Sequence, residues 1–189
     1  MGIVEISLNP VSYVVLGFAA QHSPVTSYDL KQMVAGSVGY FWPFPHSQLY
    51  AEPARLVAAG LLDEDVEATG RRRRLYRITP AGRSALRAWV GEPTSDDTEV
   101  RDLGLLKLFF SASGSPEDVA ALAGEQEAAH RRMRAEYDAL HEAVHDEVDG
   151  WALATLELGR RFERLMIDYW VEVGDRARQG RAAPIKPRR

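Results

Sequence analysis

Apolar residues at Val11, Val14, Val15, Phe18 and Ala19 fall on one face at helical spacing behind Asn9-Pro10. A capping residue followed by a first-turn proline opens such a helix, predicted from Pro10 to about Gln21. Ser23-Pro24 stops it, and Thr26-Ser27 offers a cap for a short helix from Tyr28 to about Val34. Gly36 to Pro45 is rich in aromatics and carries two prolines, which forbid a continuous helix. The pattern turns helical again at His46 and runs to Gly60, a natural left-handed cap. Leu61 to Glu67 then alternates loosely between apolar and acidic, and Ala68-Thr69-Gly70 supplies a turn. Arg71 to Ile78 returns as a strand. Thr79-Pro80 starts another helix, reaching about Val90.

The second half reads differently. Gly91 to Thr98 is small, polar and broken by Pro93, a linker; Val100 to Phe110 is helical and too apolar for a surface helix. Ser115-Pro116-Glu117-Asp118 combines a cap, a first-turn proline and acids at the positive end of the dipole. Beyond it Val119, Ala123, Gln126, His130, Met133, Tyr137, Leu140 and Val144 recur at spacings of four and three, a heptad-like seam. Asp149-Gly150 interrupts the seam. A last helix from Trp151 to about Arg178 carries apolar residues on more than one face and so needs two surfaces to pack against. The predicted fold is mostly α with a small β-hairpin. Residues 1–92 form a DNA-binding winged helix-turn-helix, 99–179 a helical dimerisation and effector domain, and 180–189 a disordered tail. Helix, arginine-rich hairpin, helix is the order of the recognition half of a winged helix-turn-helix, which makes duplex DNA the expected partner.

Composition narrows this only a little. A chain of 189 residues with 46% hydrophobic and 26% charged residues is an ordinary globular composition, and the absence of cysteine excludes disulfides and thiolate metal sites. Apolar runs such as Tyr13 to Ala20 are too short for a membrane, and the first residues lack the basic flank of a signal peptide, so the expected location is cytoplasmic. A net charge of −4 argues against DNA as a sum. Its distribution does not: residues 1–93 carry nine Lys/Arg against eight Asp/Glu, and five of those nine fall between Arg71 and Arg77. A local arginine cluster neutralises phosphate while an acidic second domain discourages unspecific adhesion.

The segments PVSYVVLGFA, TSYDLKQM, HSQLYAEPARLVAAGLL, RRRRLYRITPAGRSAL and RDLGLLKLFF, in this order and spacing, resemble the PadR family of bacterial transcriptional regulators. The resemblance runs from about Leu8 to Arg178 and includes the C-terminal helical region of the longer, virulence-activator-related subfamily. It implies a homodimer joined by that helical region, and repression of transcription relieved by a small aromatic effector. By position it puts Tyr28 and Lys31 on the helix before the recognition helix, Ser47, Gln48 and Tyr50 at the start of the recognition helix, and Arg72 to Arg74 in the wing. The expected DNA-binding set is therefore Tyr28, Lys31, Ser47, Gln48, Tyr50, Arg71, Arg72, Arg73 and Arg74. The chemistry of these side chains suits DNA. Glutamine offers a donor and an acceptor to adenine, and arginines grip phosphate without reading sequence. Tyr50 also competes with Leu49 for a place in the core. Pro53 departs from the family pattern, which has leucine there. A proline in mid-helix predicts either a bend or a later start.

Other chemistries compete with this reading. His141-Glu142-Ala143-Val144-His145 matches the HExxH pattern of zinc hydrolases, with Glu163 as the candidate third ligand, but its flanks are charged and solvent-like. A helical adaptor binding only protein is the other alternative. The expectation is no catalytic residue, no metal and no cofactor. Four tryptophans, Trp42, Trp89, Trp151 and Trp170, suit planar ligands. The expected effector pocket, near Trp151, Phe162 and Tyr169, lies at the junction of the two domains.

Overall fold

The computed structural model describes residues 6–68, 72–144 and 150–180. The chain divides into two compact units, Met1–Asp97 and Thr98–Arg189. Unit 1 opens with α1 (Pro10–Gln21), where Asn9 and Ser12 form a reciprocal capping box. A second capping box, Thr26 with Asp29, starts α2 (Ser27–Ala35). A short 3₁₀ turn, Val38–Tyr40, lies in the aromatic loop, and α3 spans His46–Ala58. The hairpin is β1 (Leu62–Val66) against β2 (Arg74–Ile78), followed by α4 (Pro80–Gly91). Val25 adds an isolated antiparallel bridge to β2, exchanging hydrogen bonds with Tyr76 at 3.0 and 2.8 Å, which ties the hairpin to the body of the unit. Val15, Leu16, Leu30, Leu49, Leu56 and Leu62 are fully buried and form the centre of one core.

Helix α3 runs unbroken through Pro53, which is fully buried. It begins at His46, so the later start that the proline suggested does not occur. Its end is a Schellman motif: the Leu61 amide donates to Leu56 O and the Gly60 amide to Val57 O, both at 2.9 Å, with Gly60 at φ 71°. The Thr79 hydroxyl donates to Gly60 O at 2.8 Å and accepts from the Gly82 amide at 3.0 Å, so one side chain joins the end of α3 to the start of α4. Gly82 has no room for a side chain, because a Cβ there would overlap the Leu61 carbonyl oxygen and press on Ile78. Gly82→Ala is expected to destabilise unit 1 by about 1–3 kcal/mol through overpacking, read from chemical denaturation of the variant.

The return strand is shorter than the sequence pattern suggests. Pairing begins at Arg74, opposite Val66, because Arg72 has φ 49°, a left-handed conformation incompatible with an extended strand. Arg71 and the turn residues Thr69 and Gly70 lie outside the described residues.

Unit 2 comprises α5 (Leu103–Phe109), a short 3₁₀ turn (Ser111–Ser113), and two long helices, α6 (Pro116–Val144) and α7 (Gly150–Arg178). Ser115 and Asp118 cap α6 reciprocally, as the sequence suggests. The long helices are antiparallel: His130 meets Glu163, Arg134 donates to the Arg160 carbonyl, and Asp138 pairs with Arg160. The seam of α6 is used within this pair. Ala123 is buried against Gly174, and Tyr137 lies across Gly159. It therefore packs on α7 of the same chain rather than being left for a partner. The second apolar face of α7 is exposed, with Trp151, Leu158, Phe162 and Leu165 at heptad-like spacing. No described helix is long and apolar enough to cross a membrane. The tail at 181–189 lies outside the described residues.

Candidate nucleic-acid interface

The orientation of α3 follows from which of its residues unit 1 buries. Leu49, Glu52, Pro53 and Leu56 face inward, while Ser47, Gln48, Tyr50, Ala51 and Ala54 are exposed. Tyr50 is 53% exposed and Leu49 0%, so Leu49 takes the core position for which the two compete. Buried Glu52 is unusual. It accepts a hydrogen bond from the Ser12 hydroxyl of α1 at 2.5 Å and pairs with Arg55, whose Nε and Nη2 donate to it at 3.0 and 2.6 Å. Arg55 also reaches Ser12 Oγ at 2.8 Å and the Ser7 carbonyl at 3.0 Å. Burial disfavours the Glu52 carboxylate, but hydrogen bonds from Arg55 and Ser12 outweigh it and hold the carboxyl below its usual range. This network fixes the roll of α3 on α1, and with it the side chains that α3 presents. Sequence reasoning misses it; the one signal available there is Glu52 and Arg55 at pairing distance on a helix.

The other expected residues lie on exposed or partly exposed positions of the same unit. Tyr28 on α2 is 61% exposed, and its hydroxyl accepts from Gln32 Nε2 at 2.7 Å; Lys31 is half-buried. Arg72, Arg73 and Arg74 are exposed on the hairpin. Arg73 binds Glu67 through Nη2 at 2.7 Å, Arg74 binds Glu64 at 3.1 Å, and Arg77 binds Asp65 at 3.3 Å. Glu67 is the main cause of the raised Arg73 pKa. Phe41 and Trp42, just ahead of α3, are also exposed.

The expected effector residues are not gathered at one point of this chain. Trp151, Phe162 and Tyr169 all lie on α7, spread over about 27 Å of helix at 1.5 Å per residue. Trp151 and Phe162 are exposed, whereas Tyr169 packs edge-on against Trp170 at 5.4 Å. A cleft of about 470 Å³ in unit 2 is lined instead by Lys107, Ser111, Asp118, Val119, Leu122 and Gln126, among others. Of the zinc-hydrolase pattern, His145 lies outside the described residues. Glu163, its suggested third ligand, is 2.6 Å from His130 Nδ1, and among the described residues no cluster of three or more His, Asp or Glu is placed to hold a metal.

Comparison with known proteins agrees with this architecture. Residues 15–88 match the transcriptional regulator PadR-like family, and residues 100–175 match the virulence activator alpha C-terminal family. The negative transcriptional regulator PadR of Bacillus subtilis is 25% identical over 118 residues, which are 61% of this chain and 64% of that protein. The crystal structure of B. subtilis PadR in complex with operator DNA superposes with a TM-score of 0.80 at 19% identity, over 89% of this chain and 99% of that one. The structure of the same protein in complex with p-coumaric acid gives 0.75 at 18% identity, over 91% and 99%. The buried face of α3 and the paired hairpin thus fall inside a match to the transcriptional regulator PadR-like family, and most of the long helical pair inside an adjoining match to the virulence activator alpha C-terminal family, so residues 15–88 of this chain form a PadR-like domain.

Proposed function

We propose that this chain is a cytoplasmic, homodimeric transcriptional repressor that binds duplex DNA through α3 and the hairpin, and that a small aromatic effector relieves the repression. The observation that carries the reading is the presentation of α3. Leu49, Pro53 and Leu56 are buried, and the Ser12–Glu52–Arg55 network holds the helix so that Ser47, Gln48 and Tyr50 project from its first turns. Small residues at Ala51 and Ala54 keep the rest of that face low, which suits close approach to a major groove. In this reading Gln48 reads a base edge, Ser47, Tyr50, Tyr28 and Lys31 contact the backbone, and the wing arginines at 71–74 grip flanking phosphates. The exposed stripe of α7 supports pairing of two protomers, since an isolated helix gains nothing from leaving Trp151, Leu158, Phe162 and Leu165 in water. The complexes of B. subtilis PadR with operator DNA and with p-coumaric acid support the DNA and effector parts. Trp151, Phe162 and Tyr169 are kept as the proposed effector residues, with a second copy bringing further walls to the exposed pair.

The test is duplex binding by the full chain, using a sequence selected from a random pool and a scrambled control. Arg72→Ala is expected to weaken both duplexes alike and to flatten the salt dependence by about one unit of slope. Gln48→Ala is expected to lower preference for the selected duplex by about 5–100-fold while leaving the scrambled one nearly unchanged. Equal loss on both duplexes for Gln48→Ala would remove α3 from base readout.

A further inference from the structure

The arginines of the hairpin do not stand alone. Over residues 62–68 and 72–78, Asp63, Glu64, Asp65 and Glu67 oppose Arg72, Arg73, Arg74 and Arg77, four charges of each sign. The strand register brings them together. Val66 pairs with Arg74, so Glu67 falls opposite Arg73 on one face, and Glu64 lies diagonal to Arg74 on the other. Arg73 donates to both Glu67 carboxylate oxygens, with Nε at 3.1 and 3.0 Å and Nη2 at 2.7 Å, the fork geometry it would offer a phosphate. The Glu67 and Glu64 side chains are 24% and 21% exposed, against 64% and 62% for Arg73 and Arg74. Each carboxylate is thus tucked against the guanidinium that it engages. The hydrogen bonds from Arg73 also hold the Glu67 carboxyl below its usual range, so it stays ionised at neutral pH. Among the described residues no ion pair engages Arg72.

We infer that Glu64 and Glu67 are affinity-setting residues, built-in competitors that occupy Arg74 and Arg73 in place of the DNA backbone. The inference rests on the DNA-binding reading above. To grip a phosphate, Arg73 must leave Glu67, and the carboxylate left behind lies close to the incoming anion. That freed carboxylate also recruits a cation from solution, which offsets the counterion released from the DNA. Affinity for every duplex is therefore lower, and its salt dependence shallower, than the number of wing arginines suggests. Exposed ion pairs are weak, so the competition tempers binding without blocking it.

The experiment measures dissociation constants of the full chain from a selected and a scrambled duplex of about 30 base pairs across a salt series. Glu64→Gln and Glu67→Gln are each expected to tighten both duplexes about threefold, and the double variant about tenfold. The double variant should also steepen the slope of log affinity against log salt by about 1–2. Asp63→Asn removes the same charge from the same strand without releasing an arginine, and is expected to gain less. Adding Arg73→Ala to Glu67→Gln is expected to cancel the gain. Thermal melts of each variant establish that the hairpin is folded. Salt-dependent binding that is unchanged in the Glu64 and Glu67 variants, or matched by Asp63→Asn, would overturn the inference and leave the DNA reading standing. Absence of duplex binding by every form, at low salt, would overturn both.

Discussion

Trp170→Ala is expected to cost unit 2 about 3–5 kcal/mol, the cost of emptying a fully buried aromatic site. The core of that unit is small: Ala123, Met166, Trp170 and Val173 are buried, with Leu105, Leu108, Val119, Leu122 and Tyr169 packed around them. Trp170 is wholly buried and the largest side chain among them. Its removal leaves a void between α5, α6 and α7 that the neighbouring helices cannot close without losing their own contacts. Trp170→Phe separates volume from polarity. The indole Nε1 has no acceptor among the described residues, so phenylalanine keeps most of the packing and loses only an unsatisfied donor. Its expected cost is about 1–2 kcal/mol. Because the two units have separate cores, Trp170→Ala should lower the unfolding transition of unit 2 and leave that of unit 1 in place. Chemical denaturation followed by circular dichroism checks both points. A loss of less than about 1 kcal/mol for the alanine variant would show that the cavity refills.

Glu52→Ala is the second large effect, expected at about 2–3 kcal/mol in unit 1. It removes the buried acceptor that the Ser12 hydroxyl reaches across to and leaves Arg55 without its carboxylate. Breaking a fully buried pair costs more, but the Arg55 side chain is 36% exposed, and water takes up part of its charge. For a unit of this size the melting temperature falls by roughly 10 °C. The pH dependence follows from the lowered Glu52 pKa. A carboxyl whose folded value lies below its unfolded value contributes stability that is complete above the unfolded value, about 4.3. The contribution is lost as pH falls through the folded value. Wild type and Glu52→Gln should thus differ most near neutral pH and converge in acid. A constant difference from about pH 7 to about pH 3 would assign the effect to packing alone. Since the same network sets the roll of α3, Glu52→Gln is also expected to weaken binding to a selected duplex more than to a scrambled one.

Much of unit 1 is legible in the sequence because its signals are local. Asn9, Thr26 and Thr79 cap the helices that follow them, and Gly60 ends α3 in a left-handed turn. Features that depend on distant partners are not legible. Glu52 reads as a solvent-facing residue until Ser12, forty positions earlier, is brought against it. Pro53 reads as a threat to α3, yet the helix runs through it, with the proline ring filling a buried site. The acids of β1 and the arginines of β2 are plain in the sequence, but their pairing depends on the register across the turn. In unit 2 the seam of α6 is visible as periodicity. Periodicity gives a face, though, not the surface that covers it, and here α7 of the same chain supplies the cover. The exposed stripe of α7 is what the fold of unit 2 leaves uncovered.

The most direct test is hydroxyl-radical footprinting of the full chain on a duplex selected from a random pool. Two protected half-sites related by two-fold symmetry, their centres separated by about one helical turn or a multiple of it, are expected. Gln48→Ala should lower protection of this duplex more than it lowers binding to a scrambled one. A single asymmetric footprint, or no protection at low salt, would contradict a two-fold repressor with α3 in the major groove.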